Sequence, residues 1–228
     1  MLPRMQQAIH ARLQSLPGEL LPVRLLAERL LDPAAQLDAA SDTVLIGPRP
    51  KLGPEAYAVV LYAGISESTV LAYLKTRSTG LRGDLILPPA WLQVLHVLNG
   101  AELYQLHLYG LPPSLCAPTP LLNRSTRQPL DLGAANATWS RQYRPTPSQF
   151  HFGASPYSYE ENLGYFLNPD GTVEARRVGG SLFADWPSIA PFLEAEITRV
   201  ESLFPAHEAR TEKLLQSIGL KQPSRGLL

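Results

Sequence analysis

The chain carries a single cysteine, Cys116, among its 228 residues. One thiol cannot close an intramolecular disulfide or build a cysteine-rich zinc site. An excess of either charge is also lacking: Lys+Arg and Asp+Glu stand at 20 each, so the formal net charge is zero. No whole-chain field favours nucleic acid, and a basic groove would have to be local. Long hydrophobic runs are absent too. The most apolar stretch, Tyr57 to Ile65, is far too short to span a bilayer. Near the N-terminus, Arg4, His10 and Arg12 interrupt the apolar residues, so no secretory leader is read there. These absences predict a cytoplasmic protein with neither nucleic-acid nor membrane partners.

Chemical fingerprints are equally sparse. There is no G-x-G-x-x-G and no G-x-x-x-x-G-K-[ST], hence no nucleotide signature. Ser181 follows Gly179-Gly180 but lacks the G-x-S-x-G frame of a nucleophile elbow. Of the five histidines, His10, His96, His107, His151 and His207, no pair has H-x-x-x-H spacing. His107 and His151 fall on expected strands, and two strand histidines with a carboxylate can hold a metal. The simpler reading makes each a solvated or hydrogen-bonded strand residue. Cys116 sits in a proline-rich loop with no legible base, as a small apolar filler. No catalytic residue, metal site or cofactor is assigned.

What the chain does have is apolar periodicity, with 45% hydrophobic residues and 22 prolines, the latter mostly between periodic segments, where they stiffen loops. Met5, Ile9, Leu13 and Leu16 share a helical face, Pro17-Gly18 interrupts, and Leu25, Leu26 and Leu30 form a second set. Residues Asp32 to Pro54 read as a connection with one strand at Thr43 to Ile46. Ala56 to Ala63 suits a strand or the lead-in to a helix. Ser66 suits an N-cap, with Ile65 and Val70 placed as a hydrophobic staple, and Gly80 is expected to stop that helix. Pro88-Pro89 opens the next helix. There Trp91, Leu95 and Leu98 make one face, and Leu92, Val94 and Val97 widen it. Asn99-Gly100 is expected to stop this helix. The period then becomes two, with Tyr104, Leu106 and Leu108 alternating with Gln105, His107 and Tyr109, which predicts a strand.

Leu130 to Trp139 reads as a short helix. Phe150 to Gly153, Leu163 to Leu167 and Thr172 to Val178 read as strands, the last two joined by a turn at Asn168 to Gly171. Gly179-Gly180 breaks the strand. Asp185 is expected to cap a helix with Pro187 in its first turn. The stripe Ile189, Leu193, Ile197, Val200 and Phe204 follows, Pro205 is expected to end it, and Glu208 to Ile218 reads as a last short helix.

The order of these signals resembles the SUKH superfamily. That group includes the fungal SMI/KNR-type cell-wall-assembly regulators and many bacterial toxin-immunity proteins. The resemblance rests on Y-A-G-I-S-E-S-T-V-L-A-Y-L, then P-P-A-W-L-Q-V-L-H-V-L-N-G-A with a strand ending L-Y-G. F-H-F-G, N-L-G-Y with its N-P-D-G hairpin, and a helix after F-A-D complete it. It covers Ala56 to Phe204 and divides the chain into a helical extension and linker (1–54), a SUKH-like domain (55–205) and a helical tail (206–228). The fold expected is α+β: two helices leading into a mainly antiparallel sheet, closed by a long C-terminal helix.

The resemblance implies a non-catalytic bacterial immunity protein that neutralises a cognate protein toxin by occlusion. The alternatives are an intracellular scaffold or regulator of the SMI/KNR type and, behind both, an enzyme, which would need a pocket gathering His107, His151 and an acid. Tyr157, Tyr159, Glu160, Glu161 and Asp170 are the expected partner-binding residues. The tyrosines would supply contact area and the acids would steer a basic partner.

Overall fold

The order of the strands in the chain is also their order in space. The computed structural model describes residues 4–38, 40–52, 56–78, 85–112, 127–158 and 161–217. Among these, β1 (Gln36–Asp38), β2 (Thr43–Pro48), β3 (Tyr57–Ala63), β4 (Leu98–Leu103), β5 (Leu106–Leu108), β6 (Phe150–Pro156), β7 (Asn162–Leu167), β8 (Val173–Arg177) and β9 (Leu182–Trp186) form one nine-stranded sheet. Each strand is antiparallel to the next. The helices are α1 (Arg4–Gln14), α2 (Leu21–Leu30), α3 (Glu67–Ser78), α4 (Pro89–Val97), α5 (Leu132–Ala137) and α6 (Ile189–Ser217). The fold is α+β, as the sequence predicts.

Alternation along the strands separates two faces. On β6 and β7, Phe152 and Tyr165 point to the face covered by α6, where both pack on Phe192 at ring separations of 5.3 and 4.7 Å. Trp91 of α4 packs on Phe152 at 4.7 Å. Their neighbours His151 and Phe166 point the other way and stack on each other at 4.6 Å. Tyr143, from a 3-10 turn at Trp139–Tyr143, covers them. Gly164 makes room for that ring: a Cβ there would lie 2.7 Å from it. No described helix is long and apolar enough to cross a membrane.

The expected caps and hairpins form where the chemistry is local. Ser66 Oγ accepts the amide of Thr69 at 3.2 Å and opens α3. Asp131, which was not anticipated as a cap, accepts from Gly133 N at 2.9 Å and opens α5. The Asn168–Gly171 turn joins β7 to β8. Gly80 lies outside the described residues.

Several expectations are corrected. Asn99-Gly100 does not stop α4, which ends at Val97; both residues belong to β4. Asn99 is buried and clasps the backbone of Leu111, accepting from its N–H and donating to its C=O, both at 2.8 Å. The strand expected across residues 104–109 is a hairpin instead, turning at Tyr104-Gln105. Tyr104 holds a φ of +55° there. The segment read as a connection carries the expected strand at Thr43–Ile46, seen as β2, and also β1, which was not expected; β2 pairs with β3, so the sheet runs across residue 54. Leu25 is exposed, and Val23, Leu26 and Ala27 are the buried residues of α2. Asp185 caps no helix; it lies on β9, a strand the sequence reading missed. Pro205 does not end the last helix, because α6 continues through it for 29 residues, about 43 Å at 1.5 Å per residue.

Candidate functional site

Pro88 and Pro89 set one wall of a concavity on the surface. A residue before proline is confined to extended backbone, which fixes Leu87 and Pro88. Pro88 sits at φ −57° and ψ 138°, and α4 begins at the next residue. The stretch Leu85–Leu87, which belongs to no helix or strand, leads into α4 through these two prolines. Ile86 is left 81% exposed there, in a chain that buries most of its aliphatic side chains. Opposite stands the β7–β8 hairpin tip, and the floor comes from α5 and the approach to β6. The cleft between them has a volume of about 800 Å³ and a lining that is apolar by majority.

The walls are fixed by hydrogen bonds made behind the cleft surface. Gln149 Nε2 donates to Asn168 Oδ1 at 2.9 Å and to Glu174 Oε2 at 2.8 Å. Asn168 Nδ2 donates to Thr172 Oγ1 and to Glu174 Oε1. Arg176 closes the set with an ion pair to Glu174 at 2.7 Å. Burial alone would raise the Glu174 carboxyl, but the bonds from Gln149, Arg176 and Asn168 outweigh it and hold it below the usual range. On the floor, Asn136 clasps His151: its Oδ1 accepts His151 N–H and its Nδ2 donates to His151 C=O, both at 2.9 Å. Gly133 is sterically required, since a Cβ there would lie 2.2 Å from the Tyr73 hydroxyl.

Asp170, at the hairpin tip, is the only ionisable residue among the described lining residues. Its carboxylate accepts from the Thr172 hydroxyl at 2.7 Å and the Thr172 amide at 3.0 Å. Those bonds keep its pKa below the usual value, so the charge is present at neutral pH.

The expected binding surface is not brought together. The β6–β7 loop, bearing Tyr157 and Glu161, and the β7–β8 turn, bearing Asp170, lie at opposite ends of β7. Six residues of strand separate them, about 20 Å of backbone at 3.3 Å per residue. Tyr157 is half-buried against Phe183, and the Arg177 guanidinium lies 4.1 Å from its ring centre and donates to its hydroxyl at 2.6 Å. One face of that tyrosine is therefore committed within the chain. Glu161 closes the loop through its carbonyl, which accepts from Tyr157 N and Ser158 N. Tyr159, Glu160 and Cys116 lie outside the described residues.

His107 and His151 sit on neighbouring strands without a shared acid. His107 is paired across from Ala154 and His151 from Phe166. No group of three or more His, Cys, Asp or Glu side chains able to hold a metal is found among the described residues. Burial holds His107 below the ordinary histidine value, and Glu102 opposes that shift.

A second polar cluster lies on the α6 face and was not legible beforehand. Glu196, 2% exposed, receives Arg199 Nε at 2.9 Å and Nη2 at 2.7 Å. It also accepts from the Tyr165 hydroxyl, which contacts Ser155 Oγ. Arg199 reaches on to the Pro156 carbonyl at 2.9 Å. Burial and the neighbouring carboxylate keep the Tyr165 phenol protonated far above its usual range. Ser155 is 1% exposed, and the cluster bolts α6 to β6 and β7.

Comparison of the chain with known protein families, curated proteins and solved structures finds no match. The site therefore rests on its own geometry. Ile86, Asn136, Gln149 and Asn168 were not anticipated as site residues; Asp170 was. The one signal that pointed here is I-L-P-P, where two prolines hold an apolar stretch away from its own helix.

Proposed function

We propose that the protein is a non-catalytic protein-binding module of the cytoplasm, and that its partner is a bacterial toxin which it neutralises by occlusion. The observation that carries the binding reading is the cleft between Leu85–Pro89 and the β7–β8 hairpin. It is preformed, apolar and braced from behind, so little ordering cost falls due on association. Gln149 and Asn168 are bonded to one another and Asn136 to the backbone of Leu132 and His151, so these amides shape the wall. The toxin assignment rests on the resemblance of the ordered motifs between Ala56 and Phe204 to immunity proteins of the SUKH superfamily.

The test is co-purification of the tagged chain from its native host at low salt. One stoichiometric partner, toxic when expressed alone and tolerated when this chain is co-expressed, supports the proposal. Several substoichiometric partners, none of them toxic, would overturn the immunity reading in favour of a scaffold.

A further inference from the structure

The cleft contains a stretch of backbone with nothing to bind. Leu85, Ile86 and Leu87 make no backbone hydrogen bond to any described residue. Extended backbone with free N–H and C=O groups is a template for an added strand. Apolar side chains surround it: Ile86 projects from the wall, while Phe150 and Leu167 form part of the lining. Asp170 is the single charge among the described lining residues, held in place by Thr172 and exposed.

We infer that the cleft takes an extended, mainly apolar peptide segment of the partner, which pairs with Leu85–Leu87 as a short added strand and sets a lysine or arginine against Asp170. This rests on the protein-binding reading above and names the chemistry of what is bound. Main-chain pairing supplies affinity without dictating sequence, and alternate side chains of the segment face the apolar wall. The lone carboxylate supplies direction, because a basic residue complements it only when the segment lies in one orientation.

The probe is a random-peptide phage library selected on the full chain, with enriched peptides synthesised, labelled and measured by fluorescence anisotropy. Enriched sequences are expected to be apolar with one basic residue. Ile86 is on the surface, so Ile86→Asp leaves the core intact and should weaken peptide binding about tenfold or more. Asp170→Asn keeps an acceptor for Thr172, and should cost about threefold and reduce the salt dependence. N-methylation at alternate peptide amides should weaken binding, while methylation at the intervening ones should not, as strand pairing requires.

No enriched peptides, equal binding to Ile86→Asp, or tolerance of every N-methyl group would each overturn the inference. Loss of the native partner from Ile86→Asp without any peptide binding would sink the extended-segment chemistry but leave the binding reading standing. Peptide binding with an unaffected native partner would do the reverse.

Discussion

His151 converts a feature of the packing into a pH dependence of stability. It is fully buried, stacked on Phe166 at 4.6 Å, with Tyr109 and Tyr143 edge-on at 5.2 and 5.4 Å. Nδ1 lies 3.3 Å from the Ala135 carbonyl. A carbonyl only accepts, so Nδ1 carries the proton in the neutral ring, and Nε2 is left as a buried lone pair without a partner. Burial lowers its pKa to about 4, against the opposing pull of the Ala135 and Gly153 backbone. The unfolded chain takes up this proton near pH 6.5 and the native chain only near pH 4, so the unfolded state binds more protons between these values. Stability must therefore fall as pH drops from 6.5 and level off below 4. From these two values the loss is about 2 kcal/mol at pH 5 and about 3 kcal/mol once both states are protonated.

The assay is urea denaturation at pH 8, 6.5 and 5 for the wild-type chain and for His151→Phe, which keeps the ring stack and removes the titration. His107 and His207 are also lowered by burial, and their contributions cancel in the difference between the two chains. The wild type should lose about 2 kcal/mol more than the variant between pH 8 and pH 5. Equal losses would show that His151 titrates normally and that the packing described around it is wrong.

Arg199→Met leaves Glu196 charged and buried, and should destabilise the fold by about 3–5 kcal/mol in denaturant unfolding. The double variant Glu196→Gln/Arg199→Met should cost clearly less than the sum of its single changes. Asn99→Ala orphans both backbone groups of Leu111, at about 1–3 kcal/mol each; Asn99→Asp should not recover the loss, because its second carboxyl oxygen would face the Leu111 carbonyl that the Asn99 amide now donates to. Pro205→Ala restores a helix hydrogen bond if α6 is continuous, raising Tm with a stabilisation of up to about 3 kcal/mol. An unchanged Tm and helical circular dichroism would place a break at that residue.

How far the sequence foretold this molecule follows from the range of the forces involved. Ser66, the N-P-D-G turn and the α6 stripe were legible because cap, turn and periodicity are set within a few residues. Asn99-Gly100 misled because the same tolerance for unusual backbone serves a helix stop and a tight strand; the choice is made by Leu111, twelve residues on. Gly100 takes a φ of +88° within β4, where a Cβ would meet the Leu108 carbonyl at 2.7 Å. Tyr104 turns a hairpin where glycine is the usual choice, held by Glu201 at 2.9 Å and by the Phe204 ring at 4.8 Å. Both partners are on α6, far along the chain. β2 reads T-V-L-I because both of its faces are buried, so it shows no alternation. The cleft was the least legible feature, since its walls come from segments around residues 85–90, 133–137, 147–150 and 167–171. Asp170 was singled out for its charge, and the strand between it and Tyr157 and Glu161, which places them at opposite ends of β7, was not legible.

The most direct test of the central claim compares two surface variants for affinity to the co-purified partner. Ile86→Asp alters the cleft and Glu161→Lys alters the loop at the far end of β7. The account predicts that Ile86→Asp weakens the complex about tenfold or more while Glu161→Lys leaves it within about threefold. Intact binding by Ile86→Asp together with loss in Glu161→Lys would contradict it and move the interface to the β6–β7 loop.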